Sequence, residues 1–506
     1  MDRWKTLTVE SMGGILEEVS VLTQAKVAPG SLLQGQNFEK ARGKGYRRIN
    51  GHQKYSTTAL SGSGKVLGVF SFNGSVIGCR GANIEIGSGT TWTSISSTRV
   101  GADKYRGHRY YWVRPSIILV DSVGYPLKYD SLGTATELTS GPLAATSVWS
   151  FKRHMFFTTG QKVVISAPND ETNFNGVDGA VEINCGHEVY ALRPFRDAIY
   201  VFGPTKIFKI TGSSSTDFAL ETISQNLGCI APDSIQEVGG DIIFLSQDGI
   251  RTVAGTSNIG DVDLSNKSLT IRGRVSSLID ASSYSDISSV VIPDKSQYRL
   301  FWSSSSQAAA DARGLLGSQT SSPVSINEIS VDWEWFDTKG MQVACSDWEY
   351  TNTARVVIHG DYSGYVQQQE IGVTFDGTAI SSVLQYAWWM MEDPEIRKVL
   401  QKLSIYIRRE GNPTITLGTK LDFEATNIPQ PGNITLTSNL GAVSVYGVGV
   451  YGTADYESGT FSDETAESPL VGSCYFVSFT LTTSGATDSP YTIDGLTLEY
   501  GEGGRV

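Results

Sequence analysis

Long apolar runs are missing from this chain of 506 residues. No stretch of about 18 apolar residues exists, which leaves no sequence signal for a membrane-crossing helix. The N-terminus, MDRWKTLTVESMGG, lacks the apolar core of a signal peptide. The expectation is therefore a product of a cytoplasm that stays soluble or joins an assembly. Cysteine is sparse: Cys79, Cys185, Cys229, Cys345 and Cys474 are far apart and odd in number. They read as buried free thiols made in a reducing compartment, not as a disulfide or zinc framework. The five histidines (His52, His108, His154, His187 and His359) stand singly, without metal-ligand spacing. Basic charge is short as well, with 40 Lys and Arg against 52 Asp and Glu, a net charge of −12. That balance argues against general phosphate-backbone binding through a basic surface. It does not argue against a passage for nucleic acid, which should repel the polymer rather than hold it. No P-loop and no G-x-S-x-G elbow is present. Nothing in the sequence names a cofactor, a metal or an enzymatic reaction.

What the chain has in quantity is turn-forming residues and apolar residues in short runs. It holds 54 glycines and long Ser/Thr tracts, with 40% hydrophobic and 10% aromatic residues. This is a folded, β-rich composition, and the length calls for two or three domains. Residues 189–212, VYALRPFRDAIYVFGPTKIFKITG, show the repeating unit. An apolar run meets a polar turn at Arg196-Asp197, a β-rich run follows, Gly203-Pro204 breaks the chain, and residues 206–210 alternate polar and apolar. Alternation puts one face in a core and one in water. Related turns fall at Asn73-Gly74, near Arg114-Pro115, at Arg153-His154, Gly239-Gly240, Asp294-Lys295 and Asn352-Thr353. The spacing is about 40 residues at first and nearer 55 at the end, close to a propeller-blade period. A chance series of hairpins in an all-β protein is the plainer alternative.

The predicted fold is thus all-β: six or seven blade-like meander units of a β-propeller, followed by a β-sandwich-like domain. The expected division is an entry segment over 1–60, the propeller over 61–371 and the sandwich over 372–506. Residues 303–325, rich in Ser, Ala and Gly, read as a long mobile loop inserted in a blade. Residues 372–382 read as a linker, and 394–400 as a short helix or turn.

Residues 32–55, LLQGQNFEKARGKGYRRINGHQKY, combine Lys40, Arg42, Lys44, Arg47 and Arg48 with Phe38, Tyr46 and Tyr55. Basic residues interleaved with aromatics can bind nucleic acid. They can equally anchor a subunit contact, or form a solvated loop leading into a strand. Carboxylates near strand ends, at Val120-Asp121, Asp248-Gly249 and Gly360-Asp361, can be imagined as a glycosidase pair, but Asp at a turn is first of all turn chemistry. Trp333 and Trp335 share a strand face. They can stack on a sugar, although alternation makes them first a core-facing pair.

The segment GQNFEKARGKGYRRINGHQKY, residues 35–55, resembles the N-terminal region of tail proteins of short-tailed bacteriophages, which enter their first blade through a similar stretch. The matching positions are Asn37, Phe38, Arg42, Gly45, Tyr46, Arg47, Arg48, Ile49, Gly51 and Tyr55. Residues 198–202 and 207–210, then Gly228, Pro232-Asp233-Ser234 and 243–249, resemble the middle blades of that family. Arg397-Lys398 before residues 403–407, Asp422, and the closing IDGLTLEYGEGGR resemble its C-terminal domain. The resemblance implies a tail nozzle or hub: a virion structural protein, assembled in the host bacterial cytoplasm. Such proteins form a ring, usually a homo-hexamer, below the portal-bound tail adaptor, and conduct or retain double-stranded DNA without sequence preference. Tail fibre and needle proteins are further implied partners. Asn37, Phe38, Arg42, Tyr46, Arg47, Arg48 and Tyr55 are then candidate subunit or adaptor contacts. The other readings of the same sequence are a receptor- or glycan-binding propeller of the virion and, behind it, a glycoside hydrolase.

Overall fold

A computed structural model describes residues 4–17, 19–87, 89–99, 104–253, 266–281, 283–303, 308–326, 329–350, 355–436 and 462–503. The unit read from residues 189–212 folds as the meander Ala191–Phe195, Ala198–Phe202 and Ile207–Thr211, with Ala219–Ser224 as its outer strand. Two four-stranded antiparallel blades of the same kind begin at Gly68–Phe72 and Arg106–Tyr111, and a third at Ser147–Phe151. A three-stranded blade begins at Gln236–Val238. A sixth, Cys345–Tyr350, Arg355–Gly360 and Val366–Gln369, takes its outer strand from the N-terminus: His52–Lys54 pairs with Val366–Gln369. The ring is therefore closed by two distant parts of the chain, so that no blade edge is left open there.

These six blade sheets do not complete the circle alone. Ile287–Ile292, Gln297–Trp302, Arg313–Ile326 and Ile329–Lys339 form a further meander. Its first strand lies between the inner strands of its neighbours, where the Ser289 hydroxyl donates to the Asp233 carbonyl and Ser288 meets Ser346 at 3.0 Å. This sector is also one end of a nine-stranded sheet that runs on through Leu32–Gln36, Ser382–Tyr386, Val477–Thr483, Ile415–Leu421 and Ile434–Leu436.

The far part of that sheet faces a seven-stranded one. The second sheet is built on Lys398–Arg409 and Tyr491–Glu502, with Lys5–Glu10, Phe38–Lys40, Tyr46–Arg48, Ser462–Pro469 and Ser473–Cys474. Residues of both sheets share one core, in which Phe38 meets Tyr491 edge-on at 5.8 Å and Trp389 meets Phe479 at 5.2 Å. Five short strands of the first 60 residues thus pair within the chain, three in the seven-stranded sheet, one in the nine-stranded sheet and one in the last blade.

The turns that define the blades follow local chemistry. Asn73 and Gly74 both have positive φ (49° and 78°), the requirement of the tight two-residue hairpin between Gly68–Phe72 and Ser75–Arg80. Gly239-Gly240 does the same at 59° and 78°. In the third blade the turn is Lys152-Arg153, one residue earlier than expected, and His154 already pairs in the next strand. Asn352-Thr353 lies outside the described residues.

The expectation of a mobile loop over 303–325 is corrected. Residues 304–307 lie outside the described residues, but Arg313–Ile326 is a long strand paired with Ile329–Lys339. Leu315 and Leu316 are buried, and the glycines between large neighbours serve packing: a Cβ on Gly317 would stand 2.5 Å from the Trp335 ring. Small residues there reflect close approach, not looseness. The expected linker over 372–382 holds a two-residue hairpin, Thr374–Phe375 with Thr378–Ala379, against His52. Lys398 already belongs to a strand of the seven-stranded sheet.

Candidate functional site

Seven inner strands converge on the propeller axis and enclose a cavity of about 690 Å³. Its charged side chains come mostly in matched pairs. Arg106 donates to both oxygens of Asp233, at 2.7 and 2.8 Å, and Lys104 lies 3.3 Å from the same carboxylate. Burial raises the Asp233 pKa, but Arg106 and Lys104 outweigh it and hold the carboxyl well below its usual range. Arg109 forks onto Asp347, at 2.5 and 3.2 Å, and also donates to the carbonyls of Ser71 and Trp348. Such two-pronged pairs fix geometry as well as charge.

Arg193 is different. It donates to the Ile235 carbonyl and the Gln236 amide oxygen, both at 2.8 Å, and its guanidinium lies 4.5 Å over the Trp149 ring. Burial pulls its pKa down to about 10. The same Trp149 ring is met by His108 at 4.4 Å. His108 is pushed down to about 3 by burial, with Arg109 and Arg193 adding to the effect, so it is neutral at pH 7. Trp149 is thus occupied by two side chains, which leaves little of it for stacking on a sugar. At one end of the cavity Tyr350 is 56% exposed.

The carboxylates singled out in the sequence serve turns and ion pairs. Asp121 accepts from the backbone N–H groups of Val123 and Gly124 and pairs with Arg99 at 2.7 Å. Asp361 accepts from the N–H groups of Ser363 and Tyr365. Asp248 pairs with Arg251. Trp333 and Trp335 stack in the core with centroids 5.7 Å apart, 4% and 0% exposed. Among the described residues no three His, Cys, Asp or Glu side chains are grouped to hold a metal.

The candidate contact residues are the second locus, and here the expectation needs correction. Phe38 and Tyr46 are fully buried in the shared core, and the Tyr46 hydroxyl donates to the Gly30 carbonyl. Asn37 donates to the carbonyls of Lys339 and Ser381, which stitches the propeller sector to the sandwich. Arg48, 0% exposed, donates to the carbonyls of Asp488 and Ile380. Arg47 forks onto Glu410, at 2.6 Å for each bond, and reaches Glu39 at 3.0 Å. Tyr55 is half-buried against Trp92. The surface of these side chains is committed inside the chain. Arg42 is the exception: it pairs with Asp294, yet its side chain is 70% exposed.

Glu39 extends this clamp. It accepts from Lys295 at 2.7 Å and from Arg299 at 3.2 Å, while Glu370 takes a second bond from each, at 2.5 and 2.6 Å. The sequence signal was present in the alternation of charge and aromatic residues, but the partners lie hundreds of residues away. Lys295, Arg299, Glu370 and Glu410 carried no local mark.

No family model matches the chain, and no curated protein matches it. Solved structures are similar at low identity. A computationally designed protein, Ika8, is 10% identical, with 63% of this chain and 100% of that one covered at a TM-score of 0.34. PorZ, a surface component of the type-IX secretion system of Porphyromonas gingivalis, is 13% identical, with 67% and 43% covered at 0.39. The extracellular domain of a hybrid two-component system from B. thetaiotaomicron is 10% identical, with 71% and 46% covered at 0.40. The aligned region spans less than half the length of the last two.

Proposed function

We propose that this chain is a structural subunit of the tail nozzle or hub of a short-tailed bacteriophage. It would work as one copy in a ring, probed first as a hexamer, that meets the tail adaptor and lets double-stranded DNA pass. The observation that carries the reading is the role of residues 35–55, the stretch on which the resemblance rests. They reach the propeller sector through Asn37 and Glu39 and the sandwich through Phe38, Arg47 and Arg48. A subunit of a ring under axial load needs two bodies held in fixed relation, and buried charged and aromatic contacts supply that. The net charge of −12 suits a wall past which DNA slides, since each Lys or Arg contact to phosphate adds salt-dependent affinity. The propeller axis is a separate feature: Lys104, Arg106, Arg109 and Arg193 line it together with Asp233, Glu237, Asp347 and Glu349, so it is nearly neutral.

The test is mass photometry with negative-stain imaging of the purified protein and of detached tails. A ring with a central hole at the tail tip supports the nozzle. A protein that stays monomeric in tails and binds host glycans overturns it in favour of a receptor-binding propeller. The cavity at the axis, with Tyr350 at its end, is the observation that favours this second reading.

A further inference from the structure

The cavity on the propeller axis holds a cation that the described residues do not neutralise. Lys104 and Arg106 share Asp233, and Arg109 forks onto Asp347. Arg193 has no ion pair among the described residues: its Nη2 donates to both the Ile235 carbonyl and the Gln236 amide oxygen, and its guanidinium stacks over the Trp149 ring. Its Nε and Nη1 have no hydrogen-bond partner among the described residues, although the side chain lines the cavity. Burial lowers the Arg193 pKa to about 10 in spite of Glu237 and Asp347, whose charges push it up. This is how a cation behaves when it leaves water without gaining a counter-ion. A guanidinium held in one orientation with N–H groups to spare is prepared for an oxygen anion.

A carboxylate with no bonded partner stands on the same wall. Glu237 lines the cavity, is exposed, and makes no hydrogen bond or ion pair among the described residues; its charge acts on Arg193 through space. Glu349 accepts from the Ser71 hydroxyl and adds to the field on Arg109. Depth orders these groups. Counted from the hairpin that ends each inner strand, Tyr350 is in the first cross-strand pair, Glu237 and Glu349 are in the second, and Arg109 and Arg193 are in the third. The carboxylates thus stand one residue step, about 3.4 Å, nearer the Tyr350 end than the guanidinium groups. A bare anion on Arg193 would meet Glu237 and Glu349 one step away. A bare cation at Glu237 would meet Arg193. A ligand that carries both charges, a few ångströms apart, escapes both penalties.

We propose that the axial cavity binds a free α-amino acid, with its carboxylate on Arg193 and its ammonium against Glu237 and Glu349. In an α-amino acid a single carbon separates the two charged groups, which suits a spacing of one residue step. The volume of about 690 Å³ lies in the range of small-molecule sites and leaves room for a side chain. Trp149, held between Arg193 and His108, fixes the anion-binding group rather than the ligand. The site lies within one copy of the chain and does not depend on the ring reading above.

The test is isothermal titration calorimetry on the full-length protein with each common α-amino acid in turn. At least one should bind with a Kd below about 1 mM. Removing either charge of that amino acid, as its N-acetyl derivative or as its decarboxylated amine, should weaken binding about tenfold or more. Arg193→Gln should weaken it about thirtyfold and Glu237→Gln about tenfold. Glu237 is exposed, so its variant keeps the fold even if Arg193→Gln does not. The loss in Glu237→Gln should vanish for the N-acetyl derivative, which has no charge there to lose, and a general structural effect would not give that pattern. Binding of no amino acid at about 10 mM overturns the proposal. Acetate or inorganic phosphate binding as tightly as the best amino acid overturns it too, because Arg193 is then a plain anion site. Full affinity in Glu237→Gln, with the N-acetyl derivative bound as well as its parent, has the same meaning. Ring formation is measured separately and bears on none of these outcomes.

Discussion

Arg299 and Glu39 face each other at 3.2 Å with side chains only 1% exposed, one in the propeller sector and the other in the N-terminal hairpin of the sandwich. They are the centre of a charge network in which Lys295, Arg47 and Glu370 also take part, and it lies where the two bodies meet. Buried ions are costly to desolvate, so such a network holds only while every member is matched.

Removing one member should therefore be worse than removing two. Glu39→Ala leaves Arg299 and Lys295 facing Glu370 alone and is expected to lower stability by about 3–5 kcal/mol. The double variant Glu39→Leu with Arg299→Met should recover a good part of that loss. Denaturant unfolding of the three proteins measures this. Equal losses for the single and double variants would mean that the pair acts independently of its partners.

The pH dependence should come in two steps. Burial lowers the pKa of His52, and burial with His52 nearby lowers that of His359 further; His108 is pushed down to about 3. Unfolded, all three titrate near pH 6.5. Between those values the unfolded chain binds protons that the folded chain refuses, so their contribution is complete above about pH 6.5 and declines as pH falls, by at most about 1.4 kcal/mol per pH unit for each group. Glu39 is desolvated, which raises its pKa, yet Lys295, Arg299 and Arg47 hold it below its usual value, as Arg299 and Lys295 do for Glu370. Their contribution is present above the unfolded carboxylate pKa of about 4.3 and is lost below it. Unfolding measured at pH 7.5, 6 and 5 should show the histidine step, and the double variant His52→Gln with His359→Gln should reduce it to the share of His108. An unchanged slope would remove the pair from the account.

Much of the fold was legible because its signals are local. Asn73-Gly74, Arg196-Asp197 and Gly239-Gly240 announce hairpins by the backbone angles they accept, and each sits between the inner two strands of a blade. The strand Arg313–Ile326 was illegible for the opposite reason. Its Gly and Ser residues have meaning only beside the large side chains of the facing strand, and a sequence does not print its neighbours. Residues 35–55 stood out as a functional stretch by composition. Composition could not tell an anchor for another subunit from an anchor within the chain, since both favour Arg and Tyr. What decided it was the burial of Asn37, Phe38, Tyr46 and Arg48 against segments more than 300 residues away.

Gly317 pairs directly across from Trp335, and a Cβ there would meet the indole at 2.5 Å. Gly317→Ala should displace a fully buried ring and destabilise by about 1–3 kcal/mol. Trp335→Phe in the same chain should relieve the clash and restore part of the loss. Denaturant midpoints of the two variants check this. If the alanine is neutral, the strand has room that this packing denies.

His52–Lys54 completes the last blade beside Val366–Gln369, and Lys5–Glu10, Leu32–Gln36, Phe38–Lys40 and Tyr46–Arg48 complete the sandwich sheets. Deleting residues 1–55 should therefore give an insoluble or molten chain rather than a folded subunit that merely fails to assemble, because two sheet edges and a core lined by Phe38 and Tyr46 are opened together. The exposed tip of the same stretch behaves differently. Arg42 and Lys44 are 70% and 74% exposed and each makes a surface ion pair, with Asp294 and Glu10. Exposed pairs contribute about 0–1 kcal/mol, so Arg42→Ser with Lys44→Ser should melt within a few degrees of wild type. On the nozzle reading proposed above, if that variant also fails to enter tails, the tip is the part of residues 35–55 that touches a partner. If it enters normally, the stretch serves the subunit's own fold. Thermal melting and incorporation into tails, measured on the same two proteins, separate these cases.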